Sequence, residues 1–265
     1  AVSAGEPRLL HVFSTFDPGG PQVRAVRLFG RMPPAWKNTV VAMDGRTGAL
    51  EALAPEERPA LAALPRGKGL LGQALRCLRL LRALAPDLVL TYNWGAIETV
   101  LAAWWAGLPV VHHEDGFGPE EFERFLARRV AARRLLLPRI PAVAVPSRTL
   151  LGVARGRWRI PGERLFWLPN GVDPDRFRPA GTTAGTELVI GSIGGLRPEK
   201  DQAVLLEALA ACACRGRARL RLIGEGPERP ALEARAARLG LAERVELPGA
   251  VRETAPHYRG FDLFA

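Results

Sequence analysis

Short aliphatic runs alternate with helical patterns along the whole chain, and this alternation restricts the fold more than any other feature. Runs such as Leu9–Phe13, Leu88–Tyr92 and Leu188–Ile193 are largely apolar, and stretches such as Leu70–Leu84 and Gln202–Cys212 between such runs have helical periodicity. Strands without a regular polar face are typical of parallel sheets with helices on both faces. The sequence therefore predicts a doubly wound α/β architecture.

A break in this rhythm predicts two domains. Residues 168–179 show neither helical nor strand periodicity, and residues 180–185 are small and polar, as in a linker. We expect one Rossmann-like domain in residues 1–170, a linker in residues 171–186, and a second Rossmann-like domain in residues 187–265. The last strand pattern stops at the final residue without a covering helix, so we expect this second domain to be incomplete.

Composition and charge narrow the class of protein. The 265 residues carry a net charge of +10 and include 37 lysines and arginines, which raises the question of nucleic-acid binding. Only Lys37, Lys68 and Lys200 are lysines, and no recognition helix, aromatic platform or zinc-finger spacing accompanies the arginines. We therefore do not expect a nucleic-acid partner. No apolar run reaches the roughly 18 residues of a membrane-spanning helix.

The three cysteines are too few for a disulfide framework. Cys212 and Cys214 lie in the alanine-rich apolar run Ala203–Cys214, so we expect buried free thiols there rather than a metal site, together with a cytoplasmic location.

Two glycine-containing loops follow predicted strands and precede predicted helices. In the first, Gly19 and Gly20 would let the backbone approach a phosphate at a helix N-terminus, although an ordinary βα turn explains them equally well. In the second, Gly194 is followed by Arg197 and Lys200, which could neutralise a diphosphate, the alternative being a solvated helix start. The first loop does not have the Gly-x-Gly-x-x-Gly dinucleotide pattern, which argues against a dehydrogenase.

A titratable cluster follows the strand pattern at residues 109–113. His112, His113, Glu114 and Asp115 would face the crevice at the carboxyl ends of the strands. Because neighbouring residues on a strand point to opposite faces, we expect one of the two histidines to be structural.

Two further patterns have simple explanations. Asp173-Pro-Asp175 has the Asp-x-Asp spacing of metal-dependent sugar transferases, but it is typical of a turn. Glu120–Arg139 is a predicted basic amphipathic helix, which fits either contact with an anionic membrane or the solvated face of a packing helix.

Taken in order, these segments resemble the bacterial family-4 retaining glycosyltransferases of the GT-B fold over nearly the whole chain. The matching segments, in the order of the sequence, are Gly19–Gly20, Pro86–Gly95, Pro109–Gly118, Val145–Arg148, Leu168–Asp173, Gly194–Asp201, Ile223–Pro227 and Pro248–Val251.

The resemblance implies a UDP- or GDP-linked sugar donor between two domains, and no metal or other cofactor. Gly19 and Gly20 would border the diphosphate and Asp115 or His112 would contact the transferred sugar. The remaining donor-binding positions implied by the resemblance are Gly194, Arg197, Lys200, Gly224, Val251 and Arg252. The acceptor would be a glycan or lipid-linked molecule in bacterial cell-surface polysaccharide synthesis, at the inner face of the cell membrane.

The chain departs from the family pattern at three places. Gly195 stands where the family usually has Arg, and Asp115 stands where it commonly has His. The family's Glu-x7-Glu element follows the strand at which this chain stops. Glu199/Glu207 and Glu225/Glu233 have that spacing at other places in the domain. We therefore expect little transferase activity from these 265 residues alone, the alternative function being a non-catalytic nucleotide- or anionic-surface-binding module.

Overall fold

The computed structural model describes residues 6–64, 67, 69–117, 121, 124–179 and 187–265. The chain divides into two compact units, Ala1–Asn170 (unit 1) and Gly171–Ala265 (unit 2). Each unit is built on one parallel sheet. Part of the predicted linker, residues 180–186, lies outside the described residues.

Unit 1 has a seven-stranded sheet with the order β3-β2-β1-β4-β5-β6-β7, and all its strand pairs are parallel. The strands are β1 (Arg8–Phe13), β2 (Lys37–Ala42), β3 (Ala60–Leu61), β4 (Leu88–Tyr92), β5 (Val110–His113), β6 (Ala142–Val145) and β7 (Leu165–Trp167). The helices are α1 (Gly20–Phe29), α2 (Gly69–Leu84), α3 (Ile97–Trp105), α4 (Ala127–Leu136) and α5 (Arg148–Gly156).

Strand β1 shows why the strands of this sheet have apolar residues on both faces. Leu10 and Val12 pack into a core cluster with residues of α2, α3 and α5. Phe13, which points the other way, packs into a second cluster with Phe29 of α1 and with Tyr92. Helices therefore cover both faces of the sheet, as the continuous apolar runs predict.

Unit 2 also has a parallel sheet with helices between its strands, but the sheet has four strands where that of unit 1 has seven. Its strands are β8 (Leu188–Ile193), β9 (Ala218–Ile223), β10 (Val245–Gly249) and β11 (Leu263–Phe264), in the order β10-β9-β8-β11 and all parallel. Its helices are α6 (Ala203–Ala211), α7 (Arg229–Arg238) and α8 (Ala255–Arg259). Its core has Leu206, Leu220 and Leu232 buried together. The predicted fold class, two Rossmann-like α/β units, is confirmed.

The two cysteines after α6 differ from their prediction. Cys212 and Cys214 are half-buried and joined by a disulfide, with their Cα atoms 5.1 Å apart. Helix α6 ends at Ala211 and Cys212 is extended, so the two side chains can reach each other from within a turn. The expectation of buried free thiols is wrong here because the apolar run stops being helical before the first cysteine.

Helix α4 is shorter than predicted. It begins at Ala127, whereas the sequence pattern predicts a helix from Glu120 to Arg139. Residues 118–120, 122 and 123 lie outside the described residues, and 124–126 precede the helix. A tight 3-10 turn, Leu137–Arg139, follows it.

Candidate functional site

The loops that follow β1, β2, β4 and β5 meet at one edge of the unit 1 sheet, because parallel strands place all their carboxyl ends together. Hydrogen bonds link these loops: Asp44 N–H donates to the Ser14 carbonyl, and Asp115 N–H donates to Asn93 Oδ1 over 2.7 Å. Four polar segments that are far apart in sequence therefore form one rim.

Gly19 and Gly20 lie on this rim. Gly19 is extended and caps α1, and a Cβ at Gly19 would lie 2.7 Å from Oε1 of Gln22. A Cβ at Gly20 would meet no described protein atom within 4 Å. The backbone at Gly20 is therefore accessible, and the helix N-terminus it opens leaves N–H groups free for an anion.

Asp115 is held by an arginine that the sequence analysis missed. Arg24 of α1 donates from both terminal nitrogens to the two Asp115 carboxylate oxygens, over 2.6 and 2.9 Å. Arg24 also donates to Oδ1 of Asn170 over 2.8 Å. No local pattern marks Arg24, because it is one of several helix arginines and its partner lies 91 residues away.

His112 does not occupy an accessible position, which corrects the expectation that it contacts the sugar. The side chain is fully buried. Its Nδ1 lies 2.8 Å from Oγ1 of Thr91, and its Nε2 lies 3.2 Å from Oε2 of Glu114. Both ring nitrogens are thus occupied, and of the two histidines His112 is the structural one.

His113 points to the opposite face of the sheet and is half-buried. Its ring stacks on Tyr92 with 4.8 Å between centroids. Burial, together with the nearby charge of Arg24, lowers the pKa of His113 to about 3. The imidazole is therefore neutral at pH 7 and can act there as an uncharged hydrogen-bonding group.

A buried ion-pair cluster includes Glu114, the residue that precedes Asp115. Arg133 donates to Glu114 over 2.8 and 3.1 Å and to Glu121 over 3.2 Å, and Arg129 also donates to Glu121. Burial alone would raise the pKa of Glu114, but hydrogen bonds from His112 and Arg133 outweigh it and hold that pKa below its ordinary value. The carboxylate that precedes Asp115 is thus fixed and charged.

Two tryptophan rings enclose this cluster. The guanidinium carbon of Arg133 lies 5.1 Å from the Trp94 ring centroid and 4.8 Å from that of Trp158. Trp94 follows Asn93, whose side chain accepts the Asp115 N–H. The cluster therefore supports Asp115 from both chain segments that position it. It also shows that part of the basic face predicted for α4 is turned inward.

A cavity of about 460 Å³ opens beside the carboxyl ends of β2 and β3. Its lining includes Asp44 and Thr47 as well as the apolar side chains of Met43, Leu61 and Leu64. Burial alone would raise the pKa of Asp44, but hydrogen bonds from Arg46 hold it below its ordinary value. The sequence signal that could have found Asp44 is its place directly after the apolar run Val40–Met43.

The second glycine loop lies in unit 2, at the carboxyl end of β8. A Cβ at Gly194 would meet no described protein atom within 4 Å, so the loop backbone is open there. Arg197 and Lys200 follow on the exposed surface. Arg197 bends back over Gly195, where a Cβ would lie 3.2 Å from its Nε, and its terminal nitrogen lies 4.0 Å from a Glu199 oxygen. Within the described part of the chain, Lys200 has no ion-pair partner.

Gly224, directly after β9, packs against the backbone of this loop. It has φ +150°, and a Cβ there would lie 1.8 Å from the Gly194 carbonyl oxygen. Gly194 N–H in turn donates to the Ile223 carbonyl. Only glycine fits at Gly224, so its role is to let β9 approach the loop. Val251 and Arg252 lie in the segment between β10 and α8, the first half-buried and the second exposed.

The described residues contain no group of three or more His, Cys, Asp or Glu side chains placed to hold a metal ion. The Asp-x-Asp pattern forms a turn, as expected: Asp173 Oδ1 accepts the Asp175 and Arg176 N–H groups, over 3.1 and 3.3 Å. In the same part of the chain, no helix has the length and apolar character needed to cross a bilayer.

Comparison with known protein structures gives the same architecture. The structure of HepE from Anabaena in complex with UDP and glucose has a TM-score of 0.79 at 20% identity, covering 97% of this chain and 73% of that one. WaaG, a glycosyltransferase involved in lipopolysaccharide biosynthesis, has a TM-score of 0.66 at 16% identity, covering 97% and 74%. At these identities the likeness is one of fold.

Sequence comparisons identify the family. A putative glycosyltransferase of Bacillus subtilis (strain 168), EpsF, is 30% identical over 182 residues, which are 62% of this chain and 46% of EpsF. The chain thus aligns with less than half of that relative's length. Residues 187–265 match the family described as Glycosyl transferases group 1, and residues 18–176 match Glycosyltransferase Family 4. The chain belongs to Glycosyltransferase Family 4.

Proposed function

We propose that this chain carries the donor-binding loops of an enzyme that transfers a sugar from a UDP- or GDP-linked donor to a glycan or lipid-linked acceptor. The observation that carries the proposal is the unit 2 loop, in which the open backbone at Gly194 is followed by the exposed cations Arg197 and Lys200. The complex of HepE with UDP and glucose supports a nucleotide-sugar donor.

The chemistry of unit 2 suits a diphosphate leaving group. Sugar transfer builds negative charge on the diphosphate as the bond between the anomeric carbon of the sugar and a diphosphate oxygen breaks. Fixed cations and N–H groups stabilise that charge. Arg197 offers a planar fork to phosphate oxygens, and Lys200 offers a compact charge. In this proposal the two cations do the work that Mg²⁺ does in metal-dependent transferases.

The chemistry of unit 1 suits the transferred sugar and the acceptor. Asp115 is clamped by Arg24, yet a carboxylate has about four acceptor positions, so it can still accept a hydrogen bond from a sugar hydroxyl. We assign Asp115 to the sugar, with Arg24 as its positioning residue. We assign the cavity beside Asp44 and Thr47 to the acceptor.

The proposal extends to a pathway and a location. WaaG is involved in lipopolysaccharide biosynthesis, which supports a role in bacterial cell-surface polysaccharide synthesis. A cytoplasmic enzyme at the inner face of the cell membrane would meet both its soluble donor and a lipid-linked acceptor. Retention of the anomeric configuration is proposed from the family resemblance.

Thermal unfolding with added nucleotide tests the donor assignment. A ligand that binds only the folded state at 100 times its Kd stabilises it by about 2.7 kcal/mol, which raises the melting temperature. We expect UDP or GDP to raise the melting temperature of the chain and ADP to have little effect. The double variant R197Q/K200Q should lose this shift. The matched control R215Q/R217Q, which removes the same charge from exposed sites elsewhere in unit 2, should keep it.

An equal shift in both variants would overturn the assignment of the cations. No shift with any nucleotide diphosphate would overturn the donor site itself. Sugar transfer by the chain, measured with radiolabelled UDP- or GDP-sugar, would exclude the non-catalytic binding module and would contradict the expectation of little activity from these 265 residues alone.

A further inference from the structure

Helix α2 of unit 1 exposes an apolar and basic surface that the proposed chemistry does not use. Leu71 and Leu75 are 62% and 50% exposed, although both are large aliphatic side chains. Arg76, Arg79 and Arg82 continue the exposed surface along the helix. At 100° per residue, these five side chains lie within about 140° of helix circumference. We call them the α2 face.

The charge of the α2 face is of one sign. Helix α2, Gly69–Leu84, contains no Asp or Glu. Within the part of the chain that the structure describes, Arg76, Arg79 and Arg82 have no carboxylate at ion-pair distance. Three guanidinium groups are therefore free to bind an external anion.

Two exposed tryptophans extend this surface. Trp104 and Trp105, at the end of α3, are 46% and 44% exposed. Helices α2 and α3 pack together, with Cys77 Sγ 3.4 Å from Thr99 Oγ1. Both helices lead into parallel strands and so run in the same direction, which brings the tryptophans level with Arg82, about 8 Å beyond that contact.

We infer that the α2 face, with Trp104 and Trp105, docks on an anionic lipid bilayer. Leucines enter the acyl boundary, arginines bind lipid phosphates, and tryptophans prefer the headgroup region. The cavity assigned to the acceptor includes Leu61 and Leu64, which shortly precede α2 in the chain. Docking through α2 would therefore bring a lipid-linked acceptor close to this cavity, so the inference deepens the proposed function and rests on it for that role.

The α4 helix is the competing surface. Two of the arginines in its basic pattern, Arg129 and Arg133, are buried in ion pairs with Glu114 and Glu121. Leu135 is the one large apolar side chain that α4 exposes strongly. The α2 face combines more exposed apolar surface with unpaired arginines, and it is the better fit to a bilayer.

Vesicle co-sedimentation tests this inference. The full chain is mixed with vesicles of phosphatidylglycerol and phosphatidylcholine (1:1) or of phosphatidylcholine alone, with no nucleotide present. We expect binding to the first and little to the second. Each arginine near an anionic surface contributes roughly five-fold in affinity, so R76Q/R79Q/R82Q should bind about 100-fold more weakly. L71S/L75S should also bind more weakly.

The matched control R124Q/R128Q/R155Q removes the same charge from exposed sites on or near α4 and α5. It should bind like the parent chain, and the reverse order of the two triple variants would assign docking to α4 and overturn the inference. Tryptophan emission should shift to the blue on vesicle binding, and W104F/W105F should remove most of that shift. A larger oligomer that L71S/L75S dissociates in size-exclusion chromatography would instead show that the face binds a second copy.

Nucleotide binding keeps this test separate from the proposed function. All the variants should have the melting temperature of the parent, because the substituted side chains are exposed. UDP or GDP should raise that temperature as it does in the parent, because none of the substituted residues belongs to the donor loops. Vesicle binding without a melting-temperature shift on nucleotide addition would support the docking surface and overturn the donor site. A melting-temperature shift without vesicle binding would support the donor site and overturn the docking surface.

Discussion

Arg133 is a fully buried cation that two carboxylates and two tryptophan rings hold in place. Removing one partner of a buried ion pair leaves an uncompensated charge, which costs about 3–5 kcal/mol. We expect R133M to lower the free energy of unfolding by that amount, measured by urea denaturation. The exposed neighbour Arg128 provides the control, since R128M should change stability by less than about 0.5 kcal/mol.

A second variant separates the charge from the packing. In E114Q/R133M one of the two stranded carboxylates is neutral, so this double variant should be more stable than R133M alone. If E114Q/R133M is less stable than R133M, the charge of Glu114 is not what makes the loss of Arg133 costly.

Two histidines with lowered pKa values make the stability of unit 1 depend on pH. Burial lowers the pKa of His11 from 6.5 to about 4, partly offset by its hydrogen bond with Asn38, and the pKa of His113 falls to about 3. As the pH falls below 6.5 the unfolded chain takes up protons that the folded chain does not. The contribution of these two groups is therefore fully present above about pH 6.5 and is lost as the pH falls, to about pH 4 for His11 and about pH 3 for His113.

His11 alone should account for a loss of about 2–3 kcal/mol between pH 7 and pH 4. The measurement is a series of urea unfolding curves followed by tryptophan fluorescence. H11Q is expected to be less stable than the parent at pH 7, because it loses the packing of the ring against Phe29, and to show a shallower decline with pH. A decline as steep in H11Q as in the parent would contradict the assignment.

At the scale of elements, the sequence predicts the long strands and helices well and the short ones poorly. The predicted strands Leu188–Ile193 and Leu88–Tyr92 agree with β8 and β4, because buried parallel strands are largely apolar runs bounded by turn residues. Strand β3 has two residues, too few for any periodicity. Helix α5 was missed although Ser147 caps it by accepting the Leu150 N–H, a signal that the sequence does contain.

The candidate site is harder to predict than the fold because its contacts are between distant elements. Gly194 and Asp115 could each be proposed from a place directly after a strand, since the parallel strands of one sheet all end at the same edge. Nothing local distinguishes Arg24 from other helix arginines, or His112 from His113. Only the packing of the sheet decides which side chains face its rim.

The glycine loop of unit 2 gives a prediction at this scale. G224A would place a Cβ against the Gly194 carbonyl and force a non-glycine residue into φ +150°, so we expect a loss of about 2 kcal/mol or more in the stability of unit 2. G194A meets open space, so it should change the melting temperature little. It should nevertheless weaken UDP or GDP binding, because the added methyl group occupies the space assigned to the diphosphate.

Calorimetry of both variants with and without nucleotide separates the two effects. A G194A protein that binds nucleotide as tightly as the parent would show that the diphosphate does not lie against this glycine. Unchanged stability in G224A would show that the approach of β9 to the loop is not needed.

On the scale of the whole molecule, each unit has a core of its own. Among the described residues, the two clusters of unit 1, which include Leu10 and Leu165, contain none from unit 2, whose own cluster runs from Ile190 to Leu247. Domains of 100–200 residues with a separate core commonly fold alone. We therefore expect residues 1–170 to unfold cooperatively as an isolated fragment.

Tryptophan fluorescence is a suitable probe for this fragment, because all six tryptophans of the chain lie in residues 1–170. The fragment should keep the emission spectrum of the full chain, since Trp94 and Trp158 pack within unit 1. It lacks Arg197, Lys200 and the open backbone at Gly194, so UDP or GDP should not raise its melting temperature as it does that of the full chain. If UDP or GDP raises the melting temperature of the fragment as much as that of the full chain, the diphosphate binds unit 1, at the Gly19–Gly20 helix start. Diphosphate binding would then belong to unit 1 and not to unit 2.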